Sequence, residues 1–250
     1  MDAPILAGLR MDGAPEADSY LSKLPAVQFL CREKQLTFDA PVTFFVGENG
    51  TGKSTVLEAI AVAAGFNPEG GTRNFQFSTR DTHAGLHRLI TLKRRRQVLE
   101  GYFLRAESFY NAASYLSELY EHEFRIGAPT PYGSRGLHEQ SHGESFLALV
   151  EHRFVPGGLY LLDEPEAALS PARQLTLMAC IDRLARAGSQ FLIATHSPIL
   201  MALPGSRVEL FDETGIRPVH YTETEHYRLT RRFLEDPQRM LHYLLEEDND

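Results

Sequence analysis

Three short stretches of the chain are apolar almost without interruption: VTFFV at 42–46, LYLL at 159–162 and FLIAT at 191–195. Runs of that length with no polar alternation suit strands buried on both faces. Between them the period changes. STVLEAIAVAAG reads as a helix starting near Ser54 and stopping around Gly65. Ser170 looks like an N-cap with Pro171 at the first helical position, Leu175, Met178, Ile181 and Leu184 form one apolar stripe, and Gly188 ends it. Strands alternating with helices imply a parallel sheet with covering helices.

Weaker signals fill in the rest. QFL at 28–30 and QLTF at 35–38 read as two short strands, and the segment 88–107 holds two β-like runs around a basic cluster. NPEGGTRNFQFSTRD, 67–81, is rich in turn formers and reads as a long connection. From 108 onward Phe109, Ala113, Leu116, Leu119 and Tyr120 recur at helical spacing, which predicts a helical insert over about 108–150. The Gly-, Pro- and Ser-dense stretch 127–143 interrupts it before ESFLALVEHRF resumes the helical period, so SHGES, 141–145, stands immediately before a helix. RVELFDETGIRPV reads as a hairpin across Glu213 to Gly215, and the chain beyond it as a helix with an acidic end. No internal repeat is present. The expectation is one α/β domain spanning 1–250: a mainly parallel sheet flanked by helices, antiparallel N-terminal strands, a small helical subdomain, and a hairpin and helix over about 205–250.

At 250 residues and 43% hydrophobic content the chain can bury a proper core. Its net charge of -8 argues against a surface that grips nucleic acid all over. LKRRR, 92–96, is the one basic run, and it reads as a solvated strand end or a local phosphate contact. Cys31 and Cys180 lie far apart without CxxC or Cys/His spacing, and the histidines show no HExxH pattern, so neither a disulfide framework nor a metal other than Mg²⁺ is indicated. No run of about 18 apolar residues occurs, which predicts a cytoplasmic protein without direct membrane insertion.

The chemistry is concentrated in three places. GENGTGKST, 47–55, matches GxxxxGK[ST] between a predicted strand and a predicted helix, the setting that separates a P-loop from a chance glycine-rich turn. Gly47, Glu48, Asn49, Gly50, Thr51, Gly52, Lys53, Ser54 and Thr55 are therefore candidates for binding ATP or GTP. Backbone N–H groups would curl around the phosphates, Lys53 would neutralise β/γ oxygens, and the Ser54 hydroxyl would serve Mg²⁺. In LYLLDEP, Asp163 ends an apolar strand where it could reach the Mg²⁺ shell, and Glu164 stands where a carboxylate could polarise the attacking water. In ATHSP, His196 follows a buried strand at the edge where ligands of open α/β sheets gather, so it could donate to a γ-phosphate. Ser141, His142 and Glu144 sit too close together on one segment to meet in triad geometry, and no GxSxG elbow exists.

GENGTGKST, SHGES, LYLLDEPEAALSP and ATHSP, in that order, resemble the ATP-binding-cassette (ABC) ATPase superfamily. QSHGE, 140–144, occupies the position of that family's LSGGQ signature: Ser141 and Gly143 match, while Gln140, His142 and Glu144 depart. The distance from Ser141 to Asp163, and from there to His196, is similar to the family's spacing. The EPEAALSP form, with Ser170 where Asp is common, looks more like stand-alone ATPases of the RecF and structural-maintenance-of-chromosomes (SMC) type than transporter cassettes. The whole chain looks like the compact bacterial ATPases of that group, which go under the names AAA-family and ABC-type.

The resemblance implies a P-loop NTPase fold and catalysis by Glu164, His196 and Lys53. It also implies a head-to-tail homodimer on ATP binding, in which Ser141 and Gly143 of a second chain cover the nucleotide. DNA or an effector protein is the expected further partner; an ABC transporter's ATP-binding subunit is the alternative. The family's Q-loop has no clear counterpart, with Arg105, Glu107 and Gln76 as rivals, and Phe29 and Tyr20 are candidates for stacking on adenine.

Overall fold

The computed structural model describes residues 3–72, 85–105 and 142–245, the side chains of 142–144 excepted. The three apolar runs are strands β3 (Val42–Val46), β6 (Leu159–Asp163) and β7 (Gln190–Ala194), and each is buried along its whole length. With β5 (Gly101–Arg105), β8 (Arg207–Asp212) and β9 (Gly215–Val219) they form a six-stranded sheet of order β5-β6-β7-β3-β8-β9. All neighbours in it run parallel except the β8–β9 hairpin. A second, antiparallel sheet of order β2-β1-β4 is built from β1 (Leu6–Met11), β2 (Gln35–Thr37) and β4 (Ile90–Arg94).

Alternation along the buried strands explains why the sheet needs cover on both sides. Phe45, Leu159, Leu161, Leu192, Ala194 and Phe211 join one core layer, with helices α1 (Pro25–Glu33) and α2 (Lys53–Ala64) and the antiparallel sheet. Phe44, Tyr160, Leu162, Phe191 and Ile193 point into the other layer, filled by α3 (His142–Arg153) and α4 (Pro171–Arg186). Besides this shared core, one side chain links the two sheets by imitating a strand. Fully buried Gln190 accepts the Leu6 N–H at Oε1 (2.7 Å) and donates from Nε2 to the Leu6 carbonyl (3.1 Å).

Several elements depart from the pattern reading. QFL belongs to α1, not a strand: Pro25 opens the helix, and Ala26, Val27 and Leu30 at helical spacing are its buried face. Strand β1 gave little periodic signal, because Gly8 and Arg10 interrupt its apolar residues. In α4 the buried seam is Leu177, Cys180, Ile181 and Leu184, while Leu175 is exposed. A stripe repeating every third residue drifts around a helix of 3.6 residues per turn, so its first member leaves the face. Pro237 divides the C-terminal helix into α5 (Glu225–Glu235) and α6 (Pro237–Leu245), a pair with Leu229, Leu234, Tyr243, Leu244 and Leu245 exposed. Helix α3 begins at His142, which puts Gly143 and Glu144 in its first turn rather than before it. The rest of the expected helical insert, 108–141, lies outside the described residues, as does most of the connection 67–81. Among the described residues no helix is long and apolar enough to cross a membrane.

Candidate nucleotide-binding site

The glycine-rich loop leaves the central strand β3 and becomes α2, whose N-cap is Gly52 at φ 102°. Its crest, Glu48 to Gly50, is exposed, whereas Thr51, Gly52 and Lys53 are buried. Gly47 is obligatory for a concrete reason: at φ 148° a Cβ here would stand 1.9 Å from the Phe211 carbonyl oxygen. At Gly50 a Cβ would meet nothing within 4 Å, so the crest is open above the backbone. Thr51 Oγ1 donates to the Glu48 carbonyl (2.9 Å) and pins the curl. Lys53, only 4% exposed, donates from Nζ to the carbonyls of Gly47 (2.7 Å) and Glu48 (2.9 Å). Burial lowers its pKa, against the raising effect of the carboxylates of Glu164, Asp163, Glu48 and Glu166. An ammonium surrounded this way, at the start of a helix with free N–H groups, suits a polyphosphate.

Parallel pairing sets the other groups beside it. Asp163 stands in register with Ala194 on β7 and with Arg105 on β5. Its Oδ1 accepts the Ser54 hydroxyl at 2.8 Å, bringing the end of β6 onto the first turn of α2. A hydroxyl and a carboxylate in contact are a hard-oxygen donor set, which fits Mg²⁺. Among the described residues no cluster of three or more His, Cys, Asp or Glu could hold a metal ion. Arg105 Nε lies 3.9 Å from Asp163 Oδ2, and Arg105 Nη1 binds Glu58 Oε2 of α2 at 2.9 Å.

Glu164 takes the left-handed conformation, φ 51° and ψ 51°, which breaks the strand alternation immediately after Asp163. Its N–H still donates to the Ala194 carbonyl (2.9 Å), so the turn is anchored to the ladder. Its Oε1 is 3.5 Å from His196 Nε2. His196 is fixed at the backbone by Glu166, whose Oε1 accepts its N–H at 2.6 Å. Burial pushes the Glu166 carboxyl up, only partly opposed by that hydrogen bond. Burial, then Lys53 and His226, lower the pKa of His196, so its neutral form is favoured near pH 7. His196 Nδ1 is 2.8 Å from His226 Nε2, and His226 Nε2 is in turn 3.8 Å from Glu48 Oε1.

The structure thus brings together Lys53, Ser54, Asp163, Glu164 and His196 from the three motifs. Ser141 lies outside the described residues, and Gly143 is seen as backbone in α3. Of the Q-loop rivals, Arg105 reaches the site, while Glu107 and Gln76 lie outside the described residues. Tyr20 is 56% exposed; Phe29 packs under Gly215, where a Cβ would stand 2.4 Å from its ring. The basic run is occupied locally: Lys93 binds Gln35, Arg94 the Ala63 carbonyl and Arg96 the Gly188 carbonyl. Sequence reasoning missed Glu166 and His226. The first had a signal in its place two residues past Glu164; His226 had none, because tertiary folding alone delivers it.

Comparison with known proteins finds two family matches that enclose the three motifs. Residues 27–106 match a family described as AAA domain, and residues 145–202 match one described as "AAA domain, putative AbiEii toxin, Type IV TA system". Over 189 residues the chain is 26% identical to the ribose import ATP-binding protein RbsA of Jannaschia sp. (strain CCS1). That alignment takes in 69% of this chain but only 36% of the relative, so the chain spans about a third of the relative's length. Among solved structures, the SMC head domain from Thermotoga maritima covers 86% of this chain and 98% of its own, at 18% identity and TM-score 0.45. An ATP-binding cassette of an ABC transporter, in its ADP conformation, covers 85% and 91% at 17% identity and TM-score 0.47. The two family matches, with the curated relative, support an ATPase of the ABC type: the chain is similar to that superfamily of P-loop NTPases.

Proposed function

We propose that the chain binds ATP with Mg²⁺ at these strand ends, hydrolyses it, and uses the cycle to close and release a head-to-tail homodimer that acts with DNA or a partner protein. The observation that carries the reading is the convergence of Ser54 and Asp163, 2.8 Å apart, with Glu164 and His196, 3.5 Å apart, beside the P-loop. Lys53 and the N–H groups at the start of α2 hold the phosphates. Ser54 and Asp163 would hold Mg²⁺, which would neutralise charge on the phosphate oxygens. Glu164 accepts a hydrogen bond from water, whose oxygen attacks the γ-phosphorus as the bond to the β–γ bridging oxygen breaks. The water proton passes by way of the carboxylate to the phosphate product, and ADP leaves with the bridging oxygen. His196 donates from Nε2 to a γ-phosphate oxygen and so distinguishes ATP from ADP.

Ser141 and Gly143 of a second chain complete the site across a two-fold interface, the position of Gly143 in the first turn of α3 supporting an anion-facing role. The family description at 145–202, which names a toxin, favours a stand-alone ATPase. The RbsA relative favours the second reading, a transporter's ATP-binding subunit.

The test is Glu164→Gln, with solution mass measured by light scattering with and without ATP. Hydrolysis is expected to fall about 100-fold or more while ATP traps a dimer. A variant that stays monomeric at saturating ATP with turnover intact refutes both the carboxylate's role and the dimer. In Ser141→Arg, ATP binding is expected to persist while dimerisation and hydrolysis fail together.

A further inference from the structure

His226 belongs to no nucleotide-binding motif, yet it is held against the site from outside. It is the second residue of α5, whose start is fixed by Thr224, fully buried, its Oγ1 accepting the Tyr227 N–H (3.4 Å) and donating to the Tyr221 carbonyl (2.7 Å). Tyr221 and Tyr227 pack edge to face, with centroids 5.2 Å apart. From this anchored turn the His226 ring meets that of His196 at 62°, with 2.8 Å between His226 Nε2 and His196 Nδ1.

Two ring nitrogens at that distance need one N–H and one lone pair, and the carboxylates around them decide which is which. Were His196 the donor, its Nε2 would turn a lone pair toward Glu164 Oε1 at 3.5 Å. His226 Nε2, its lone pair then taken by the His196 N–H, would offer no proton to Glu48 Oε1 at 3.8 Å. Neither carboxylate would then face a donor. With His226 as donor, both nitrogens become N–H groups beside carboxylates, and each contact turns favourable. Among the charged groups around the pair, Lys53 adds to burial and His226 in depressing the pKa of His196, against the raising effect of Glu164 and Glu48.

We propose that His226 is a positioning residue that donates from Nε2 to His196 Nδ1, fixing the neutral tautomer of His196 whose proton sits on Nε2. The proposal rests on the reading of His196 as the γ-phosphate donor. A donor nitrogen that must carry a proton without carrying a charge needs its other nitrogen occupied. His226 supplies that occupant, and it does so from the C-terminal helix pair, so movement of α5 and readiness of the switch histidine are linked.

The experiment uses the full chain and reads both structure and turnover. Imidazole ¹⁵N shifts of wild-type protein, with His196 assigned by its loss in His196→Gln, are expected to show Nδ1 unprotonated and Nε2 protonated. His226→Phe is expected to lower kcat about 10-fold with KM for ATP changed less than about 2-fold, the split expected of a group that acts on the reacting step. His226→Gln, whose amide nitrogen reaches about the position of Nε2, is expected to recover kcat to within about 3-fold of wild type. A protonated Nδ1 in the wild type overturns the proposal. So does an unchanged kcat in His226→Phe, or a kcat in His226→Gln as low as in His226→Phe, since a packing role alone would give the latter. If His196→Gln itself turns over normally, the phosphate-donor reading falls, and the wild-type nitrogen shifts still decide whether His226 donates.

Discussion

Glu166 illustrates how one side chain can serve position and cost stability at once. Its Oε1 holds the His196 backbone at 2.6 Å, while burial raises its pKa above the ordinary 4.5. A group with a raised folded pKa contributes its stability fully below its unfolded pKa and loses it as pH rises through the folded value. Near neutral pH the ionised carboxylate therefore weakens the fold. Glu166→Gln keeps an oxygen for the His196 N–H and removes the charge. Chemical denaturation at about pH 4 and 7 is expected to show the variant gaining on wild type at the higher pH, with the wild-type decline flattened. Equal pH dependence in the two proteins would refute this account. What the carboxylate does in return is hold the His196 backbone in place.

At the level of elements, helix α4 separates pattern from packing. Leu177 is fully buried and Leu175 is 52% exposed, although a three-residue repeat starting at Leu175 first draws the eye. Leu177→Ala is expected to cost about 2–5 kcal/mol and Leu175→Ala less than about 1, measured as denaturation midpoints. The strands β3, β6 and β7 were legible because burial on both faces demands unbroken apolar runs, and the P-loop because few sequences satisfy its backbone. The Ser170–Pro171 helix start was legible for the same reason, a fixed φ at a fixed place. Strand β1 was not, since its partners lie at 35–37 and 90–94 and its stability comes from them rather than from its own composition. Likewise α1 reads as β-like locally and becomes a helix because Pro25 opens it over a buried Val27 and Leu30. The contacts of Arg105, Glu166 and His226 were hidden because each depends on a register or a crossing that no local pattern encodes.

Across the whole molecule, Gln190 makes the two sheets one unit. Its amide satisfies both the N–H and the carbonyl of Leu6 in the interior. Gln190→Leu keeps similar bulk but leaves those two backbone groups buried without partners, each worth about 1–3 kcal/mol. Its denaturation midpoint is expected to fall by an amount matching about 2–5 kcal/mol; an unchanged midpoint would show that the sheets hold together without the amide. Strand β3 has a different dependence. It carries the P-loop, yet its neighbours β7 and β8 come from beyond residue 189. As the ribosome releases the chain from its N-terminus, the loop that grips phosphate emerges long before either strand that steadies it. The sheet that frames the loop thus depends on pairing between segments far apart in sequence, the kind of pairing that forms slowly.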